Sequence, residues 1–168
     1  MTALLCLKAV NGHYFLQEAG EPLRLNFVGH RYGPYADALR HVLATIEGHY
    51  TSGFGDGSST VQQSEPLRLL PGAAETAADA LVDRPETAAH LSRVLELIEG
   101  FETPYGLELL ATAHWVLAHG EAGDDEGVVE AVRGWSTRKG RMFTHDHVAV
   151  AIDTLRSHGW TTELAAVR

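Results

Sequence analysis

The chain holds ten histidines, and their tightest grouping is Thr144-His145-Asp146-His147, with His158 beyond. Imidazole beside carboxylate is metal-ligand chemistry, but a zinc site on a helix wants side chains about three or four residues apart on one face. His145 and His147 are two apart, which on a helix sets them about 200° from one another. No HExxH pattern or cysteine pair accompanies them. They read as structural or surface histidines, and no metal and no cofactor is expected. Nucleophilic chemistry is poorly served too. Cys6 has only Lys8 as a basic neighbour and reads as a small core residue, and the serine pair Ser58-Ser59 lies in a flexible loop. Gly53, Gly55 and Gly57 lack the Lys-Ser/Thr ending of a phosphate loop. Asp124-Asp125-Glu126 occupies a Gly-flanked turn where nothing would raise a carboxyl pKa. His114, beside Trp115, reads as a core histidine bonded to a carbonyl. No residue is assigned a catalytic role.

Binding chemistry is better represented. Glu121, Asp124, Asp125, Glu126 and Glu130 are followed at once by Arg133, Arg138, Lys139 and Arg141, a dipolar stretch that reads as salt-bridged surface or as a binding face. Tyr32, Tyr35 and Tyr105, with Phe101 and Trp135, suit either a core edge or an interface, because a tyrosine is apolar at one end and polar at the other. Two of these tyrosines stand in similar turns, Gly33-Pro34-Tyr35 and Thr103-Pro104-Tyr105. Each reads as a helix start, with proline at the first helical position, where its missing N–H is harmless.

The elements that would position these residues follow from periodicity. Tyr14 to Ala19 reads as the end of a first helix stopped by Gly20, with its earlier half weakened by Asn11-Gly12. Leu23, Leu25 and Phe27 alternate with polar residues, so Leu23 to Val28 reads as a short strand. Tyr35, Leu39, Val42, Leu43 and Ile46 share one face of a helix ending near Gly48. A flexible loop over Gly53 to Ser64 leads to a second short strand at Leu67, Leu69 and Leu70, expected to pair with the first. Helices are expected over Ala73 to Val82, from Pro85 through Ile98, and over Pro104 to His119, the last apolar nearly all round and therefore central. An acidic turn over Gly120 to Gly127, a short helix from Val128 to Trp135 and a basic loop from Ser136 to Met142 follow. The last helix runs from Asp146 to His158, with Thr144 as N-cap and Gly159 as its end. The sum is an α+β fold: a predominantly α-helical single domain, residues 1–168, with a small antiparallel sheet.

The 168 residues can bury a full core without disulfides or metal. No apolar run approaches the ~20 residues of a spanning helix, the N-terminus does not read as a signal peptide, and the lone cysteine suggests a reducing compartment, so a cytoplasmic protein without a membrane partner is expected. The formal net charge of -9 repels phosphate, so direct nucleic-acid binding is disfavoured. Such a chain can instead dock on a basic surface, including one built to hold nucleic acid.

Three segments then carry a family resemblance. They are Tyr14 to Phe27, Tyr32-Gly33-Pro34-Tyr35-Ala36 with Leu39 to Leu43, and Gly100-Phe101-Glu102-Thr103-Pro104-Tyr105-Gly106-Leu107-Glu108-Leu109-Leu110. Together they closely resemble the C-terminal domain of the DarG antitoxins. Trp135-Ser136, Arg138-Lys139, Phe143 and His158-Gly159-Trp160 fit the same pattern, so the resemblance runs from about Tyr14 to Trp160. Tyr14 to Leu43 also resembles, more weakly, the SocA-like antitoxin domains. Asn11-Gly12-His13 departs from the family pattern, which has a basic and an apolar residue before Tyr-Phe-Leu-Gln.

In that family the partner toxin, DarT, attaches ADP-ribose from NAD to thymidine in single-stranded DNA. An N-terminal macrodomain removes the ADP-ribose, and the C-terminal domain binds and blocks the toxin, with DNA mimicry as the implied mode. This chain resembles only the second part, so the resemblance implies an antitoxin domain without the glycohydrolase activity. It implies partner contacts at His30, Arg31, Tyr32, Tyr35, Glu102, Thr103 and Tyr105, where carboxylates would stand in for phosphates and tyrosine rings for bases. The alternatives are a hydrolase acting on ADP-ribosylated DNA, and a direct DNA-binding module that resembles a winged helix and uses the last helix with Arg138-Lys139-Gly140-Arg141.

Overall fold

The computed structural model describes residues 3–55, 67–120 and 122–161, with side chains from residue 11 onward. The Cys6 side chain, Glu121 and the Gly53–Ser64 loop beyond Gly55 lie outside the described residues. The architecture is α+β and predominantly helical: among the described residues there are eight helices and two small two-stranded sheets. No helix among them is long and apolar enough to cross a membrane. The chain divides into two compact units, Met1–Val28 with Tyr35–Leu95, and Gly29–Pro34 with Glu96–Arg168.

In the first unit, helix α1 (Ala3–Glu18) ends where expected, with Gly20 at φ +114°. Leu23 to Phe27 alternates between half-buried and exposed as a strand would, yet forms no ladder. Its partner is a side chain. The Gln17 amide donates to the Leu25 carbonyl at 3.0 Å and accepts from the Leu25 N–H at 2.7 Å, supplying both halves of a strand pair. The predicted first strand is therefore corrected to an irregular segment, with Arg24 at φ +55°, and β1 lies just beyond it at Val28–His30. A turn at Arg31-Tyr32, which with the rest of Gly29–Pro34 belongs to the second unit, leads into β2 (Gly33–Tyr35).

Gly33-Pro34-Tyr35 is thus a strand and not a helix start. Proline sets φ alone, which extended backbone also accepts, and it disfavours a helical conformation in the residue before it. Gly33, at φ +111°, closes the turn instead. Helix α2 (Ala38–Ile46) begins three residues after Tyr35 and buries Leu39 and Leu43. Ala36 and Leu39 form a small core with Leu25, Phe27 and Tyr35. Tyr14, fully buried, sets its ring edge-on to Phe27 at 5.3 Å.

Strand β3 (Thr51–Ser52) pairs antiparallel with β4 (Arg68–Leu69), Thr51 opposite Leu69 and Ser52 opposite Arg68. The second predicted strand therefore exists but does not pair with the first. The Leu25 backbone is already satisfied by Gln17. Helices α3 (Ala73–Val82) and α4 (Pro85–Ile98) match their predicted bounds.

In the second unit, α5 (Pro104–His119) is central: every residue from Gly106 to His114 is buried, and it packs against α6 (Asp125–Gly134) and α8 (His145–Ser157). Leu110, Val128, Val132, Val148, Ile152 and Leu155 fill the core. The expected acidic turn gives way to helix at Asp125, because the Asp124 side chain accepts from the Gly127 N–H and caps α6. The expected basic loop is corrected too: Thr137–Met142 is helix α7, capped by Ser136, whose hydroxyl accepts from the Lys139 N–H. Thr144 caps α8 as predicted. His114 is buried, with Nε2 3.1 Å from the Trp160 carbonyl, the core histidine that was expected.

Candidate functional site

The second unit includes the tip of the β1–β2 hairpin, Gly29–Pro34, which exposes Gly29, His30 and Arg31 and buries Gly33 and Pro34. Two close approaches hold it. A Cβ at Gly29 would lie 3.2 Å from the Trp135 ring, and one at Gly33 would lie 3.2 Å from Thr112 Oγ1. The Trp135 indole N–H donates to the His30 carbonyl at 2.9 Å. His30 and Arg31 are exposed, and the Tyr32 ring is half-buried. The guanidinium of Arg138, on α7, lies 5.1 Å from the Tyr32 ring centroid, and that of Arg31 lies 5.7 Å away.

Beneath this tip sits Glu108, buried on α5. Arg138 donates to it through Nη1 at 2.6 Å and Nη2 at 3.2 Å, the fork-on-carboxylate geometry that makes such pairs strong. Lys139, fully buried, donates to Glu108 Oε1 at 2.7 Å and to Thr112 Oγ1 at 2.9 Å. Burial pushes the Lys139 pKa down, and the Glu108 carboxylate works against that shift. Its ammonium also lies 5.1 Å from the Phe143 ring centroid.

Phe143 in turn meets Tyr105 edge-on at 5.2 Å, at the other predicted turn. Here the helix start is real: Thr103 Oγ1 accepts from the Gly106 N–H at 3.0 Å, and Pro104 occupies the first helical position. The Tyr105 hydroxyl donates to the Met142 carbonyl at 3.1 Å and lies 2.5 Å from His147 Nδ1. Burial raises the Tyr105 pKa. Glu102 and Thr103 are exposed beside it.

Of the seven predicted contact residues, six therefore lie in the second unit. The two groups are joined by a continuous chain of contacts from Tyr32 through Arg138, Glu108, Lys139 and Phe143 to Tyr105. Tyr35 belongs to the first unit, where it packs against Ala36 and Leu39 and donates from its hydroxyl to Asp37 at 3.4 Å. Desolvation, reinforced by the Asp37 charge, raises its pKa.

Sequence reasoning missed Glu108 and the burial of Lys139. The signal was one carboxylate inside an apolar run, flanked by Leu107, Leu109 and Leu110. Among the described residues, the ion pairs of the dipolar stretch reach outside it. Asp125 takes Arg156, Glu126 takes His145 at 3.0 Å, and Arg138 and Lys139 turn inward to Glu108. Among the described residues no group of three or more histidine, cysteine or carboxylate side chains could hold a metal.

The sequence matches no family model. It is similar to curated relatives named DNA ADP-ribosyl glycohydrolase. The Thermus aquaticus protein is 44% identical over 153 residues, 91% of this chain and 41% of the relative. The Mycobacterium tuberculosis protein is 42% identical over 147 residues, 84% of this chain and 41% of the relative. The chain spans about two fifths of the length of the relatives it matches.

Proposed function

We propose, from the premise that this chain is a homologue of one segment of the DNA ADP-ribosyl glycohydrolase (DarG) proteins, that it is an antitoxin domain. It binds a DarT-type DNA ADP-ribosyltransferase and neutralises it by covering the site that receives single-stranded DNA. The observation that carries this reading is the 42–44% identity to those proteins over most of the chain. Charge supports it. A groove that holds phosphates is cationic, and a partner of net charge -9 is drawn to it and speeds the encounter.

On this reading the glycohydrolase activity in the relatives' name belongs to the part of those longer proteins that this chain does not match. The chain itself binds and does no chemistry. The test is co-purification with a catalytically inactive toxin at low salt, where a stable complex is expected and its absence refutes the reading. A parallel incubation with an ADP-ribosylated oligonucleotide separates the enzymatic alternative: release of ADP-ribose by this chain alone overturns the non-catalytic assignment.

A further inference from the structure

We infer that the hairpin tip is a cation–aromatic socket for a carboxylate on the protein partner, formed by Arg31, Tyr32 and the outer edge of Arg138. The inference rests on the proposed toxin-binding reading and adds to it a contact of opposite polarity. There the antitoxin supplies the cation and the toxin the acid.

Three cations, Arg31, Arg138 and Lys139, cluster around Tyr32 and its support, and the carboxylate that bonds Arg138 and Lys139 is Glu108. The cluster is locally positive within a chain whose formal net charge is -9. Arg138 gives one N–H from each of its two terminal nitrogens to Glu108, and its side chain is 36% exposed. A guanidinium offers five N–H groups in one plane, so the edge turned away from Glu108 can receive another acceptor. Arg31 is exposed at the turn beside the same ring.

The tip is also held in place before any partner arrives. Trp135 bonds the His30 carbonyl, Gly29 and Gly33 let the backbone approach Trp135 and Thr112, and Glu108 holds Arg138 at a fixed angle. Binding there forfeits little conformational freedom. A carboxylate suits it because two oxygens match a guanidinium edge. A nucleic-acid strand needs a cationic track along successive phosphates, whereas this is one spot on an acidic chain.

The test is titration of the full chain with a catalytically inactive toxin at low salt, comparing wild type with Arg31→Glu, Arg31→Gln, Tyr32→Ala and the control Arg68→Glu on β4. Thermal melts establish that each variant is folded. The expected result is that Arg31→Glu weakens the complex by about tenfold or more, with Arg31→Gln and Tyr32→Ala intermediate and Arg68→Glu close to wild type. A wild-type complex that Arg31→Glu and Arg31→Gln leave intact overturns the socket while the antitoxin reading stands. Absence of any wild-type complex overturns both. Binding of a labelled single-stranded oligothymidine that Arg31→Glu abolishes makes the tip a phosphate site, and also overturns the inference.

Discussion

The ammonium of Lys139 stands 2.7 Å from Oε1 of Glu108, with both side chains withdrawn from solvent. The two residues lie 31 positions apart, on α7 and α5. Their surroundings are unequal. Without Lys139, Glu108 keeps the two Arg138 hydrogen bonds, whereas without Glu108, Lys139 keeps only Thr112 as an oxygen partner among the described contacts. Glu108→Ala therefore strands a buried charge and is expected to cost about 3–5 kcal/mol of stability. Lys139→Met is expected to cost less, and the double variant less than the sum. Denaturant unfolding of all four proteins checks this.

Helices α6 and α8 are tied by two exposed ion pairs with opposite pH limits. The hydrogen bond from Arg156 lowers the Asp125 pKa, so that pair stabilises above the unfolded carboxyl value of ~3.9 and is lost as pH falls through the lower folded value. The hydrogen bond to Glu126 raises the His145 pKa, so this pair stabilises fully below the unfolded imidazole value of ~6.5 and is lost as pH rises through the folded value. Glu126→Gln is expected to return the His145 titration, followed by NMR, toward the ordinary histidine value. An unchanged titration would remove Glu126 as the cause.

Two helical glycines should respond to alanine in opposite directions. Among the described residues a Cβ at Gly12 in α1 meets nothing within 4 Å, so Gly12→Ala is expected to stabilise by about 0.5–1 kcal/mol. A Cβ at Gly106 in α5 would lie 2.7 Å from the Phe101 carbonyl oxygen, and Gly106→Ala is expected to destabilise by about 1–3 kcal/mol. Paired thermal melts decide it.

Tyr105→Phe separates a structural role from a binding one. It keeps the ring against Phe143 and removes the hydroxyl that bonds the Met142 carbonyl and His147. The expected loss of stability is about 1 kcal/mol. An equally large loss of toxin affinity in a folded variant would mark the hydroxyl itself as a contact, whereas unchanged affinity would leave it as support for α7 and α8.

Much of the helical frame was legible because its signals are local. The bounds of α3 and α5 and the Thr144 cap follow from apolar spacing, proline placement and a hydroxyl before the first turn, all readable within a few residues. Gly33-Pro34-Tyr35 misled for the same reason. Proline at a helix start and proline entering a strand look alike until the turn before it is known, and the left-handed Gly33 settles which one forms. The basic run Ser136–Met142 read as a loop by charge. Its helix rests on the Ser136 cap and on Lys139 finding a carboxylate in the core.

By itself the sequence determined the helical class, the acidic balance, the aromatic turns and the kinship that those motifs carry. Only the tertiary structure decided that Tyr32 and Tyr105 belong to one connected set, that Arg138 and Lys139 face inward, and that Gln17 serves Leu25 in place of a strand. The physical reason is range. Caps and periodicity act over a turn of helix, whereas the choice of partner for a buried charge depends on which distant segment excludes water around it.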